Sequence, residues 1–349
     1  MRLSPNRILL SRTDNIGDVV LTLPLAGILK QYFPDSTIYF LGKKYTEPII
    51  QLSQHIDHFL NWDELQLNDS EKKLHELKID TIIHIFPQSR IARIAKKAKI
   101  KNRIGTSHRL YHWWTCNRLV PIGRKNSDLH EAQLNLQLLA PLGIPTSLPL
   151  DAFIPFYGIQ NQNSPSTILT HTNSKKYNLI FHPKSNQSAR EWPASSYLQL
   201  AQLLDPNQFQ IILTGTATER QLLNDECPEL LQLPHVNDTM GQLSLSELIQ
   251  LIQAADGLLA ASTGPLHIAA ALGKQAIGLY PSIRPVHPGR WSPLGKQAIV
   301  LESGNYCGTC KEKKTCTCMH SIMPEHVLNL ITQLQSGVGK LKRENILPF

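Results

Sequence analysis

The 349-residue chain lacks any apolar run near the roughly 20 residues that a helix needs to cross a bilayer, so no membrane-spanning helix is expected. The stretch from Met1 to Arg7 carries Pro5 and charges where a signal peptide would have its apolar region. Together these absences lead to the expectation of a cytoplasmic protein. No tandem repeat with a period of about 20–50 residues is visible, which excludes solenoids and propellers. The turn Leu213-Thr214-Gly215-Thr216-Ala217-Thr218-Glu219 lacks the Gly-Lys-Ser/Thr ending of a P-loop, and Walker-type nucleotide hydrolysis is not expected. Cysteine is scarce, and four of the six cluster as Cys307, Cys310, Cys316 and Cys318 with His320 beyond. That C-x2-C-x5-C-x-C spacing leaves structural zinc and buried thiols both open. A disulfide is disfavoured in a reducing compartment.

Composition is otherwise that of a globular protein, 42% hydrophobic and 18% charged. The length exceeds one ordinary core, so two domains are expected. The formal net charge is +8, from 35 basic and 27 acidic side chains. The basic residues are uneven. Arg90, Arg93, Lys96, Lys97, Lys99, Lys101, Arg103 and Arg109 cluster, and Lys340, Lys342 and Arg343 form a second group. Both clusters suit an anionic surface or substrate. The first lacks the interleaved aromatics of a single-strand binder and any recognisable helix-turn-helix, so nucleic acid is not an expected partner.

Strand-like runs alternate with helical ones in both halves. Arg7 to Arg12, Ile38 to Leu41 and Thr81 to Ile85 read as strands, with helical spacing over 18–32, 71–78, 88–99 and 128–140. Gln160 to Lys176 is rich in Gln, Asn, Ser, Thr and Pro, a linker composition. A second series follows, with strands at Asn178 to His182, Gln210 to Thr214, Gly257 to Ala260 and Ala276 to Tyr280. Helices are expected at 195–204, 217–224, 244–254 and 264–272. Such alternation implies βαβ units and parallel sheets. The expected fold class is therefore α/β, with two Rossmann-like doubly wound domains facing each other across a cleft. The expected domains are 1–158 and 177–322, with 323–349 as a C-terminal helix and tail returning to the first domain.

Two strand-turn-helix segments carry the chemistry. Gly257 to Ala260 runs into Ser262-Thr263-Gly264, then Pro265 opens a small apolar helix ending near Gly273. A helix N-terminus of this kind offers unpaired N–H groups and partial positive charge to a phosphate. At the other end of the chain, the first strand leads into Thr13-Asp14-Asn15-Ile16-Gly17-Asp18. Asp18 is either a favourable first-turn carboxylate or a general base. Lys184 and Arg190 are either solvated loop charges or cations for a departing phosphate. Glu219 is either a first-turn acid or a ligand for ribose hydroxyls.

The motifs RTDNIGDVVLTLP (12–24), FHPKSNQSAREWP (181–193), LTGTATER (213–220) and STGPLHIAAALGK with GLYPS (262–282) occur in this order. Together they resemble glycosyltransferase family 9, the bacterial heptosyltransferases of lipopolysaccharide core assembly, over almost the whole chain. The resemblance implies the GT-B fold and an inverting transfer from an ADP-heptose donor to an inner-core lipopolysaccharide at the membrane's inner face. It places the general base at Asp18. Asp14 either holds the turn or faces the acceptor, and Arg90 and Arg93 of the basic cluster suit an anionic acceptor. The resemblance places the donor at Arg190, Ser185, Asn186 and Ser262 and favours His267, and the residue reading adds Lys184, Thr214, Gly215, Thr216, Glu219, Thr263 and Gly264 to that donor site. No catalytic metal or other cofactor is implied. Many family members carry Asp where this chain has Ser262, which bears on the identity of the sugar. Arg284, His287 and Arg290 could add positive charge nearby. The alternatives are another nucleotide-sugar transferase or epimerase on this fold, and a non-catalytic anion-binding protein.

Overall fold

The structure is a computed structural model that describes residues 4–67, 69–124, 127–160, 165–186, 188–304, 317–335 and 347–348. The chain divides into two compact units, Met1–Gln160 and Asn161–Phe349. The division falls at the start of the polar linker read from the sequence.

The first unit is built on six parallel strands: β1 (Arg7–Ser11), β2 (Thr37–Gly42), β3 (His58–Asn61), β4 (Thr81–His84), β5 (Asn102–Thr106) and β6 (Arg118–Val120). Their spatial order is β3-β2-β1-β4-β5-β6. Ile8, Leu9 and Leu10 of β1 and Ile82 and Ile83 of β4 are fully buried, as expected of central parallel strands covered on both faces. The helical spacing over 18–32 resolves into two helices, Ile16–Val20 and Pro24–Tyr32. Pro24 has no N–H to continue the first helix and instead opens the second. The Thr22 hydroxyl donates to the Asp18 carbonyl at 2.8 Å across this break.

The second unit repeats the plan with β7 (Tyr177–His182), β8 (Phe209–Leu213), β9 (Val236–Asp238), β10 (Gly257–Ala261), β11 (Gln275–Tyr280), β12 (Ala298–Glu302) and β13 (Leu347–Pro348). All are parallel, in the order β13-β12-β11-β10-β7-β8-β9. One core cluster joins Leu179, Phe181, Trp192 and Tyr197 to Val327 and Ile331 of the Pro324–Gln335 helix. That helix was expected to return to the first domain. It packs on the Ala194–Leu203 helix of the second unit. Its apolar side is the reason: Val327 and Ile331 are buried there, and the Trp192 indole N–H donates to the Ile322 carbonyl just ahead of it at 2.8 Å.

In both sheets the strand order reverses beside the first strand, between β1 and β4 and between β7 and β10. In doubly wound sheets a ligand crevice opens at the carboxyl end of that point. The loops that leave β1, β7 and β10 carry most of the residues singled out in the sequence.

Candidate active site

In the first unit the chain leaves β1 at Arg12, which is almost fully buried. A buried guanidinium needs carboxylate partners. It has three. Arg12 Nε donates to Asp14 at 2.8 Å, one terminal nitrogen donates to Glu131 at 3.0 Å, and the other forms a short bond to Asp18. Arg124 also donates to Glu131 and, at 3.1 Å, to the Asn135 side-chain oxygen, which Arg12 reaches at 3.3 Å. Burial alone would pull the Arg12 guanidinium down, but Asp18, Asp14 and Glu131 hold it above its ordinary value.

The same crowding acts in reverse on the acids. Burial pushes Asp18 up to about 6. Arg12 pulls it down, while Asp14 and Glu131 push it further up. Asp14 is raised as well, chiefly by burial and against the pull of Arg12. A carboxylate near 6 is ionised at neutral pH and basic enough to accept a proton as a bond forms. Asp18 remains 15% exposed, so a substrate can reach it. Burial holds His84, paired with Ser11 in the sheet at the end of β4, down to about 3, so it stays neutral.

Asp14 therefore shares Arg12 with Asp18, and its backbone carbonyl accepts from Tyr45 at 2.7 Å. Arg90 and Arg93 lie on the Ser89–Lys97 helix after β4. Arg90 donates to Gln66 and stacks over Trp62 at 5.8 Å, so much of its donor capacity is engaged within the fold. Arg93 is exposed.

In the second unit the loop after β7 is organised by Glu191. Its carboxylate accepts from the Ser185 N–H and hydroxyl, each at 2.8 Å, and pairs with Lys184 at 3.4 Å. Lys184 also pairs closely with Glu226. Burial would lower the Lys184 ammonium, and these two acids raise it instead. Lys184 is thus a buried cation whose charge is balanced by two acids that fix its place in the loop. Asn186 turns the loop with φ +46°, a left-handed conformation that Asn tolerates. Arg190 is partly exposed on the same loop.

Thr214 is buried, its hydroxyl 2.9 Å from His182 Nδ1 at the end of β7. Gly215 packs closely: a Cβ there would lie 2.6 Å from the Met240 side chain. Thr216 and Glu219 close a capping box, the Thr216 N–H donating to Glu219 at 2.7 Å and the Glu219 N–H to the Thr216 hydroxyl at 3.2 Å. Glu219 is 6% exposed and turned onto its own helix end. The first-turn reading of this acid fits the geometry, and the ribose reading is the one a donor titration of Glu219 variants decides.

The loop after β10 differs. Thr263 is the N-cap of the Gly264–Ala271 helix, yet its hydroxyl makes no cap bond. That buried oxygen has no hydrogen-bond partner among the described residues. An orphaned hydroxyl beside an uncapped helix N-terminus is what an incoming phosphate would satisfy. Ser262 hydrogen-bonds with Tyr280, which ties it to β11. His267 is buried one turn into the helix. Arg290 stacks on Trp291 at 5.0 Å. Of the cysteine cluster, Cys307, Cys310 and Cys316 lie outside the described residues, and Cys318 is buried with Ile283.

The model of glycosyltransferase family 9 (heptosyltransferase) matches residues 69–320. This chain belongs to glycosyltransferase family 9. It is 24% identical over 304 residues to lipopolysaccharide heptosyltransferase 3 of Escherichia coli, covering 83% of this chain and 87% of that protein. The fold matches the family 9 glycosyltransferase of Veillonella parvula, with a TM-score of 0.78 at 19% identity over 96% of this chain and 99% of the other. It also matches E. coli ADP-heptose lipopolysaccharide heptosyltransferase II, with a TM-score of 0.75 at 18% identity over 95% and 100%. The two-unit α/β architecture is thus the GT-B fold of these enzymes, and the chain is a glycosyltransferase.

For a family 9 enzyme, the residues that sequence reasoning passed over are those that hold others in place. Glu131, Asn135 and Arg124 complete the cage around Arg12, and Glu191 and Glu226 hold Lys184. Glu131 lies 119 residues from Arg12, and no local pattern marks it. Arg12 itself carried a signal, a cation at the end of an apolar strand with two acids close behind it.

Proposed function

We propose that this glycosyltransferase moves heptose from ADP-heptose to the inner core of lipopolysaccharide, in one inverting displacement. The carrying observation is Asp18, a reachable carboxylate raised to about 6 and oriented by Arg12 at the β1–β4 switch point. Asp18 accepts the proton of the acceptor hydroxyl. That oxygen bonds to the anomeric carbon as the bond from carbon to the ADP oxygen breaks, and ADP leaves with the electron pair. In the second unit the Thr263 hydroxyl and the N-terminus of the Gly264–Ala271 helix receive the diphosphate, with Arg190 supplying positive charge as it departs. The Ser185–Asn186 turn and His267 shape the same donor site. No metal takes part in this scheme.

The names of the similar proteins support donor and acceptor: one is a lipopolysaccharide heptosyltransferase and another an ADP-heptose lipopolysaccharide heptosyltransferase. No helix among the described residues is long and apolar enough to cross a membrane. We place the enzyme in the cytoplasm, meeting its lipid-linked acceptor at the inner face of the cytoplasmic membrane.

Ser262 favours a second reading, transfer of a different sugar, because a neutral hydroxyl tied to Tyr280 stands where many relatives have a carboxylate. A thermal-shift scan against ADP-, UDP-, GDP- and CDP-sugars decides between them. Selective stabilisation by ADP-heptose is expected. Selective stabilisation by another nucleotide-sugar would keep the mechanism and replace the sugar.

A further inference from the structure

The turn and short helix after β5 present an apolar surface that folding leaves uncovered. Leu110 is 77% exposed, Trp113 60% and Trp114 67%, whereas His112 and Thr115 between and beside them are buried. The Trp113 indole N–H is already satisfied by the Ser107 carbonyl at 3.0 Å, so its ring stands outward without an unmet polar demand. Exposed tryptophans are unusual on a surface that meets only water.

The surroundings are cationic. Between Asp80 and Asp128 the chain contains no carboxylate and eleven Lys and Arg residues. Arg109 adjoins Leu110, and the Ser89–Lys97 helix, with Arg93 and Lys96 exposed, packs against the His112–Thr115 helix that carries both tryptophans. Aromatic side chains with a clear apolar face, ringed by Lys and Arg, match the chemistry of an anionic bilayer. The rings sit at the headgroup level, and the cations meet lipid phosphate.

The placement also suits the reaction. β1, β4 and β5 are neighbouring parallel strands, so the turn after β5 opens on the same sheet edge as the Arg12–Asp18 turn. At the usual strand spacing the two turns leave the sheet roughly 10 Å apart. We propose that Leu110, Trp113 and Trp114 form a membrane anchor that seats this edge on an anionic bilayer. Its use in catalysis rests on the reading above that the acceptor is lipid-linked.

The test uses the full-length protein with vesicles of phosphatidylcholine alone or with added phosphatidylglycerol. Trp62 and Trp192 are buried and Trp291 is partly buried against Arg290, so the part of a blue shift of tryptophan emission on vesicle addition that is lost when Trp113 and Trp114 are replaced reports on those two. Co-sedimentation with the anionic vesicles and a blue shift are expected, both weakening with salt. The double variant Trp113→Ser/Trp114→Ser should bind those vesicles at least tenfold more weakly. Its turnover of a soluble, deacylated acceptor should stay within twofold of the parent. Unchanged vesicle binding by the double variant would overturn the anchor. So would a loss of soluble-acceptor turnover with vesicle binding intact, which would assign the tryptophans to acceptor recognition. A parent dimer that the variant converts to monomer, without vesicle binding by either, would assign them to self-association. Failure of ADP-heptose turnover with Trp-dependent vesicle binding preserved would support the anchor and count only against the donor reading.

Discussion

As the proposed base, Asp18 has to be basic enough to take a proton and still ionised at neutral pH, and its surroundings meet both conditions. Burial raises it and Arg12 restrains the rise, which leaves it near 6. Turnover should therefore fall as pH drops through about 6, and Asp18→Asn should lose roughly 100-fold to 10,000-fold in turnover while binding donor normally. Retention of most of the turnover would remove Asp18 from its role. Stability should move the other way. A carboxyl raised in the folded state contributes stability that is full below its unfolded value and lost as pH rises through about 6. Asp18→Asn cannot ionise, so at pH 7 its melting temperature should equal or exceed that of the parent, with the gap closing near pH 4. Arg12 is the opposite case. Arg12→Ala leaves Asp14, Asp18 and Glu131 crowded without their shared cation and should cost about 3–5 kcal/mol in urea unfolding at pH 7. That loss should shrink at pH 5, where protonation relieves the crowding. A pH-independent loss would mean that packing, not charge, is what Arg12 supplies.

Among the elements, the loop after β8 separates a structural acid from a binding one. Glu219 closes a capping box with Thr216. Glu219→Ala should cost about 1 kcal/mol of stability, Glu219→Gln much less, and neither should change donor affinity more than threefold. A tenfold loss of affinity in both would establish the ribose role. The sequence left both readings of Glu219 open because a capping box and a ribose ligand need the same residue at the same helix position. Elsewhere legibility followed burial for most strands, but β5 (NRIGT), with polar residues in a buried strand, and β12 (AIVLE) were not legible although their centres are buried. The interior strands β1, β4, β7, β8, β10 and β11 announce themselves as apolar runs between turn residues. β3 (HFLN), β6 (RLV) and β9 (VND) do not: they are short, half-exposed strands toward the sheet edges, paired through backbone bonds that no side-chain pattern records. The break at Pro24 was written in the sequence, but helical spacing on both sides of it concealed the stop.

At the scale of the whole molecule, one topology is used twice. Each unit has the strand order of a doubly wound sheet, and in each the loop leaving the first strand lies at the switch point. The motif positions were legible because such loops interrupt apolar strands with Gly, Ser, Thr and Asp. The ion pairs that hold them were not, since Glu131 and Glu226 come from distant helices. The duplication has a measurable consequence. If the first unit serves the acceptor and the second the donor, ADP-sugar added to the intact enzyme should slow amide exchange over 183–193 and 262–268 and leave 12–18 nearly unchanged. The backbone N–H groups opening the Gly264–Ala271 helix should respond most, because they lack a cap until a phosphate arrives. Equal protection of the Arg12–Asp18 turn by donor alone would show that the nucleotide-sugar is read by both sheets. The division of substrates between the two units would then have to be abandoned, even with the family and the fold unchanged.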